Sequence, residues 1–104
     1  MTIPPPVHFK DGRLYLTRAA CDEFLIGCAT VALLRQDEDL LVLPVQNAAS
    51  GGYVLKIRNT AGDRVVSAAD FFRDQGLADE TEWSGRFAPC AIYAGLRLYG
   101  FFRM

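Results

Sequence analysis

Three cysteines, Cys21, Cys28 and Cys90, and one histidine, His8, are the side chains best suited to hold a metal or attack an electrophile. Together they make a Cys3His set, the composition of a structural zinc site. Their spacing argues against that use: the cysteines stand 7 and 62 residues apart, with no C-x2-4-C knuckle to seat the ion. An odd number of cysteines without a CxxC pair fits reduced thiols, and small buried hydrophobes are their expected role. A nucleophilic mechanism would have to run through His8, whose VHFK context offers neither a nucleophile elbow nor an orienting carboxylate. Asp37-Glu38-Asp39 groups carboxylates, but side chains this close at a loop tip are solvated and no other ligands accompany them. Ser50-Gly51-Gly52 lacks the GxxxxGK[ST] pattern of a phosphate loop. The sequence therefore predicts no catalytic residue, no metal and no cofactor, and no small-molecule substrate is evident.

What remains is the chemistry of the cations. The chain holds 11 Lys+Arg against 12 Asp+Glu, net −1, with a pI of about 5.7. That balance speaks against a strongly basic nucleic-acid binder. Position tells a different story. Residues 7 to 18 contain Lys10, Arg13 and Arg18 against Asp11, and residues 52 to 66 contain Lys56, Arg58 and Arg64 against Asp63, so each segment carries +2. These six cations are the candidate DNA contacts, with arginine as the bidentate reader of phosphate or base. The bland alternative is that they are ordinary outward positions on half-buried strands. A third class of function, a protein-interaction or assembly module that does not bind DNA, is suggested by the aromatic C-terminal region. Its candidate surface is Trp83, Tyr93, Tyr99 and Phe101, and self-association or a protein partner would cover it. The interior of a small barrel would use the same residues.

The elements that must position these groups follow from the apolar pattern. A chain of 104 residues that is 51% hydrophobic closes one core, expected as one domain over 7–104 behind an extended tail at 1–6. That tail reads MTIPPP, without a signal-peptide pattern, and charged residues, Gly and Pro interrupt every apolar run. The expectation is a cytoplasmic protein with no membrane association. Val7 to Lys10 and Arg13 to Leu16 flank Asp11-Gly12, a hairpin signal. Thr17 reads as the N-cap of a short helix bearing Ala20 and Phe24, with Gly27 as its stop. Thr30 to Arg35 and Leu40 to Val45 form a hairpin around a four-residue polar loop, and Asn47 to Gly52 is linker-like. Tyr53 to Arg58 and Arg64 to Val66 are strands. Ser67 reads as the N-cap of a second helix, with Asp70 completing a capping box and Gly76 ending it. Ala78 to Ser84 reads as an acidic loop, and Phe87 to Ala94 and Leu96 to Phe102 as closing strands, the first of them at an edge or bulge because of Pro89. In the last strand Leu96, Leu98 and Phe102 share one face, and Tyr99 and Phe101 the other.

The chain then says the same thing twice. Strand, turn, strand, cap, helix and hairpin recur at an offset of 51 residues, repeat 1 over about 7–46 and repeat 2 over about 53–103, with Arg13 mapping to Arg64. The fold class expected is α+β, mainly β: two ββαββ repeats burying their apolar faces in one shared barrel. Gly12-Arg13-Leu14-Tyr15-Leu16-Thr17, and more loosely Gly62 to Phe71 with Gly76-Leu77, resemble the GRVVIPKEFREKLGL signature of the swapped-hairpin AbrB superfamily. The tandem arrangement is similar to the MraZ family within it. The resemblance implies a pseudo-dimeric swapped-hairpin fold, DNA binding and transcription regulation, often in an oligomer. It would give Arg13 and Arg64 the contact role.

Overall fold

The computed structural model describes residues 7–25, 29–45, 52–78, 80–85, 88–89 and 95–103. The leader at 1–6, Gly27, Cys28, most of the linker at 47–51, Phe87, Cys90 and Tyr93 lie outside them. Strands β1 (Val7–Lys10) and β2 (Arg13–Leu16) form the first hairpin. Its two turn residues both adopt left-handed backbone, φ +54° at Asp11 and +74° at Gly12, the geometry that matches the twist of the flanking strands. Thr17 caps α1 (Arg18–Phe24) by accepting the Ala20 N–H on Oγ1 at 3.3 Å. Strands β3 (Thr30–Gln36) and β4 (Asp39–Val45) pair more fully than their polar loop suggests. Gln36 opposes Asp39, and the turn is only Asp37-Glu38, with φ +57° at Asp37 and the Arg35 Nε donating to the Asp37 carbonyl at 2.9 Å.

Strands β5 (Tyr53–Ile57) and β6 (Arg64–Ser67) make a hairpin with a longer loop, followed by α2 (Ala69–Asp74). Ser67 is not the cap of α2. It pairs with Arg13 in the sheet, while Ala68 holds the N-cap position without a side-chain bond and donates its N–H to the Gly12 carbonyl at 3.0 Å. The helix ends at Gly76, φ +89°, where the N–H groups of Gly76 and Leu77 donate to the carbonyls of Arg73 and Phe72. The segment expected as an acidic loop contains β7 (Glu82–Gly85), because Trp83 turns inward against Phe101, ring centroids 5.1 Å apart, and Glu82 and Ser84 point out. Two short strands follow, β8 (Ala88–Pro89) and β9 (Leu96–Leu98). The last strand stops at Leu98 instead of reaching Phe102. The chain turns there, Gly100 at φ +68°, and drops both Phe101 and Phe102 into the core.

All pairings are antiparallel, in the order β7-β1-β2-β6-β5-β3-β4-β9-β8. β5 belongs to both ends of this curled, half-barrel sheet: Leu55 to Ile57 pair with β6, and Tyr53 and Val54 pair with β3. The two terminal strands, β7 and β8, are separated by only two residues, so the sheet's ends lie within about 11 Å of chain. Curling follows from that link and from the strand twist. The concave side holds Val7, Phe9, Leu14, Leu16, Leu40, Val42, Val66, Leu96 and Leu98. Phe72 of α2 meets the ring of Phe9 at 4.5 Å, edge on, and Phe101 meets Phe9 at 5.2 Å. Each buried phenylalanine contributes roughly 2–3 kcal/mol, which makes this aromatic cluster the center of stability.

The hairpin turns dock on helix starts. A Cβ on Gly12 would stand 2.8 Å from that of Ala69, and one on Gly62 would stand 2.8 Å from the Arg18 Cδ. The Asp37-Glu38 turn is likewise tied to the C-terminal segment: Asp37 and Glu38 stay exposed, as a solvated turn requires, while Asp39 just after it is partly covered and held. Asp39 accepts from Arg97 Nε and Nη2 at 2.8 and 2.6 Å and from the Gly100 N–H at 2.7 Å. Glu38 accepts from Arg103 Nε at 2.7 Å, and its carbonyl accepts from the Phe102 N–H. Arg35 covers the Phe102 ring at 4.6 Å. The Gly100 N–H, then Arg97, hold the Asp39 carboxyl below its ordinary range despite partial burial.

Two outcomes follow. Gly12→Ala should cost about 2–4 kcal/mol in urea unfolding, from left-handed strain plus the collision with α2. Gly76→Ala, with open space around it, should cost only about 1–2 kcal/mol; equal losses would refute the docking. Because the folded Asp39 value is depressed, its stabilisation is complete above the unfolded value of about 3.9 and is lost as pH falls through the folded value. Asp39→Asn should therefore cost about 1–3 kcal/mol at pH 7, with the gap to wild type closing in acid; a pH-independent gap would contradict the clamp.

Candidate functional site

Alternation along β7, β1, β2, β6 and β5 sends a second set of side chains to the convex face. Directly opposed across the strands, one row reads Ser84, His8, Tyr15, Val65, Lys56, and the next reads Glu82, Lys10, Arg13, Ser67. Arg58, just past β5, reaches back across β6 and lays its guanidinium over the Tyr15 ring, 4.8 Å from the centroid. On its other flank Tyr15 has the His8 ring, centroids 6.0 Å apart and planes inclined at 34°. His8 is itself oriented by β7: Nδ1 lies 2.7 Å from Ser84 Oγ, and Nε2 lies 3.5 Å from Glu82 Oε1. His8, Lys10, Tyr15 and Arg58 line a depression of about 430 Å³ on this face. Among the described residues this face carries four cations, Lys10, Arg13, Lys56 and Arg58, with the carboxylates of Glu82 beside His8 and of Asp63 near Arg58.

Two of the six expected cations stand elsewhere. Arg18 lies on α1, where its Nε pairs with Asp22 Oδ2 at 3.3 Å and its backbone N–H donates to Asp63 Oδ1 at 2.9 Å. The Asn59 Nδ2 bond to Asp63 Oδ2 at 3.1 Å, and after it that from the Arg18 N–H, hold the Asp63 carboxyl below its ordinary range. Arg64 opposes Leu16, is half-buried and donates from Nη1 to the Gly62 carbonyl. The expected match of Arg13 with Arg64 fails for a geometric reason. Leu14 and Val66 are opposed and both buried, so equivalent faces in this antiparallel pair are 52 residues apart, and an offset of 51 exchanges inside for outside. Tyr15, His8 and Ser84 were not among the expected site residues, although strict alternation in VHFK and RLYL already placed His8 and Tyr15 beside Lys10 and Arg13.

The aromatic candidates divide in the same way. Phe101 is fully buried among Phe9, Phe72, Trp83 and Phe102 and belongs to the core, and Trp83 is half-buried against it. Tyr99 is 58% exposed, 5.0 Å from the Arg97 guanidinium, and Tyr93 lies outside the described residues. Cys21 is buried in the core while His8 sits on the convex face, so these two do not meet. Among the described residues no group of three His, Cys, Asp or Glu side chains is placed to hold a metal, and no helix is long and apolar enough to cross a membrane.

Iodoacetamide labelling with peptide mapping checks the core placement: Cys21 should stay unmodified in native buffer and react once urea unfolds the chain. Labelling at the unfolded rate in native buffer would overturn it. Comparison with family models, with curated proteins and with solved structures gives no match for this chain.

Proposed function

We propose that the protein binds DNA through the convex face of β7, β1, β2, β6 and β5, as a small regulatory protein of the reducing cytoplasm. One observation carries the reading: Lys10, Arg13, Lys56 and Arg58 come from two separate hairpins and share one face, where they outnumber the carboxylates of Glu82 and Asp63. Lys10 and Lys56 are three strand spacings apart across the sheet and one row apart along it, about 16 Å in all. That span exceeds the roughly 12 Å width of the major groove, so a duplex laid across the face can meet cations on both sides of a groove. The net charge of −1 does not oppose this. The Debye length is about 8 Å at physiological ionic strength, and phosphates at the convex face are screened from acids on the far side.

We also infer that the chain is a duplicated ββαββ unit in a swapped-hairpin arrangement. The strand order supports this, because it reads the same around the curled sheet when β1, β2, β3 and β4 are exchanged with β5, β6, the β7–β8 segment and β9. So does the reciprocal docking of Gly12 on α2 and Gly62 on α1.

The test is fluorescence anisotropy with a mixed-sequence duplex across a salt series. Four phosphate contacts give an expected log–log slope of about −4, and replacing both Lys10 and Lys56 by Ala should reduce it to about −2. Arg64→Ala, by contrast, should leave the slope unchanged and lower stability only. Absence of binding at low salt would refute the proposal.

A further inference from the structure

The depression between the cations has a chemistry that phosphate contact alone does not use. Its walls are two rings, His8 and Tyr15, and its rim carries two cations, Lys10 and Arg58. The Arg58 guanidinium is not free to sample: it is held over Tyr15, so its charge and its flat face are presented together. Ser84 and Glu82 fix the His8 ring from the neighboring strand. A ligand answering all of these features must bring a planar π system and an anion a few ångströms apart. In a duplex the base planes are stacked away inside the helix, and only an unpaired nucleotide offers both groups at once.

We propose that this depression is a subsite for an unpaired nucleotide, its base stacked in the cluster of His8, Tyr15 and Arg58 and its phosphate on Lys10, so that the face prefers single-stranded over duplex DNA. This rests on the reading of the convex face as a DNA-binding surface and specifies the form of DNA it takes. Lys56, in the same row as Tyr15, and Arg13, opposite Lys10, extend the cationic track along which flanking phosphates run.

Anisotropy with a labelled oligothymidylate and with a duplex of equal length, in the same low-salt buffer, separates the possibilities. The single strand should bind at least about fivefold more tightly, since stacking one base on a protein ring contributes that much or more. Tyr15→Leu should remove that advantage by costing the single strand at least about fivefold more affinity than it costs the duplex, whereas Tyr15→Phe should keep it. As a check that needs no variant, irradiating wild type with a strand containing 5-bromodeoxyuridine should crosslink the peptide bearing His8 or Tyr15. Equal affinity for the two forms, an equal loss on both with Tyr15→Leu, or a crosslink confined to other peptides would overturn the subsite while leaving DNA binding in place. Failure of both forms to bind would remove both readings.

Discussion

The pairing of β2 with β6 sets Leu14 opposite Val66, and the rest of the molecule depends on that register. With those two side chains inside, the flanking strands β1 and β5 must point Phe9 and Leu55 inward, and both hairpin turns are carried to the starts of the opposite helices. The same constraint fixes the outside. Tyr15 faces outward because Leu14 and Leu16 face inward, and a slip of one residue would bury Arg13 and Tyr15 and expose the core. The convex cationic face is thus the reverse side of the hydrophobic core and needs no separate device to assemble it.

Much of this was legible in the chain. Asp11-Gly12, Thr17 and Gly76 act through backbone geometry that their residue types favour locally, and each behaves as its type suggests. The misreadings are tertiary. Ser67 has the chemistry of a cap, yet sheet pairing with Arg13 claims it, and the Gly12 carbonyl satisfies the next N–H. Glu82 to Gly85 looks acidic and loop-like because only Trp83 marks the inward side. Phe101 reads as an outward strand residue by alternation, but the turn at Gly100 ends the strand before that rule applies.

The candidate site shows the same division. Which segments hold the excess cations was legible in the charge pattern, whereas which face each one takes depended on register, and Arg64 fell on the wrong side of a single-residue difference. Tyr15 was hidden by its type: an aromatic residue on a strand is ordinarily assigned to the core. What distinguishes it is the company of Arg58 and His8, which arrive from two other strands and are not adjacent in the chain. Local charge outweighs global charge here because screening is short-ranged, so the chain's acidic residues matter chiefly where they are placed, as Glu82 is beside His8.

The short segment from Glu82 to Pro89 closes one edge of the sheet along β1 and the other along β9. Two strands joined through only two residues tie these margins together, so one cannot fray far without the other. Local opening should therefore be shared across the seam, raising the cooperativity of a small domain, and neither margin is left as a long unpaired template on which another chain could add strands. Pro89 sits on that last strand, where a missing N–H further blunts the outer edge.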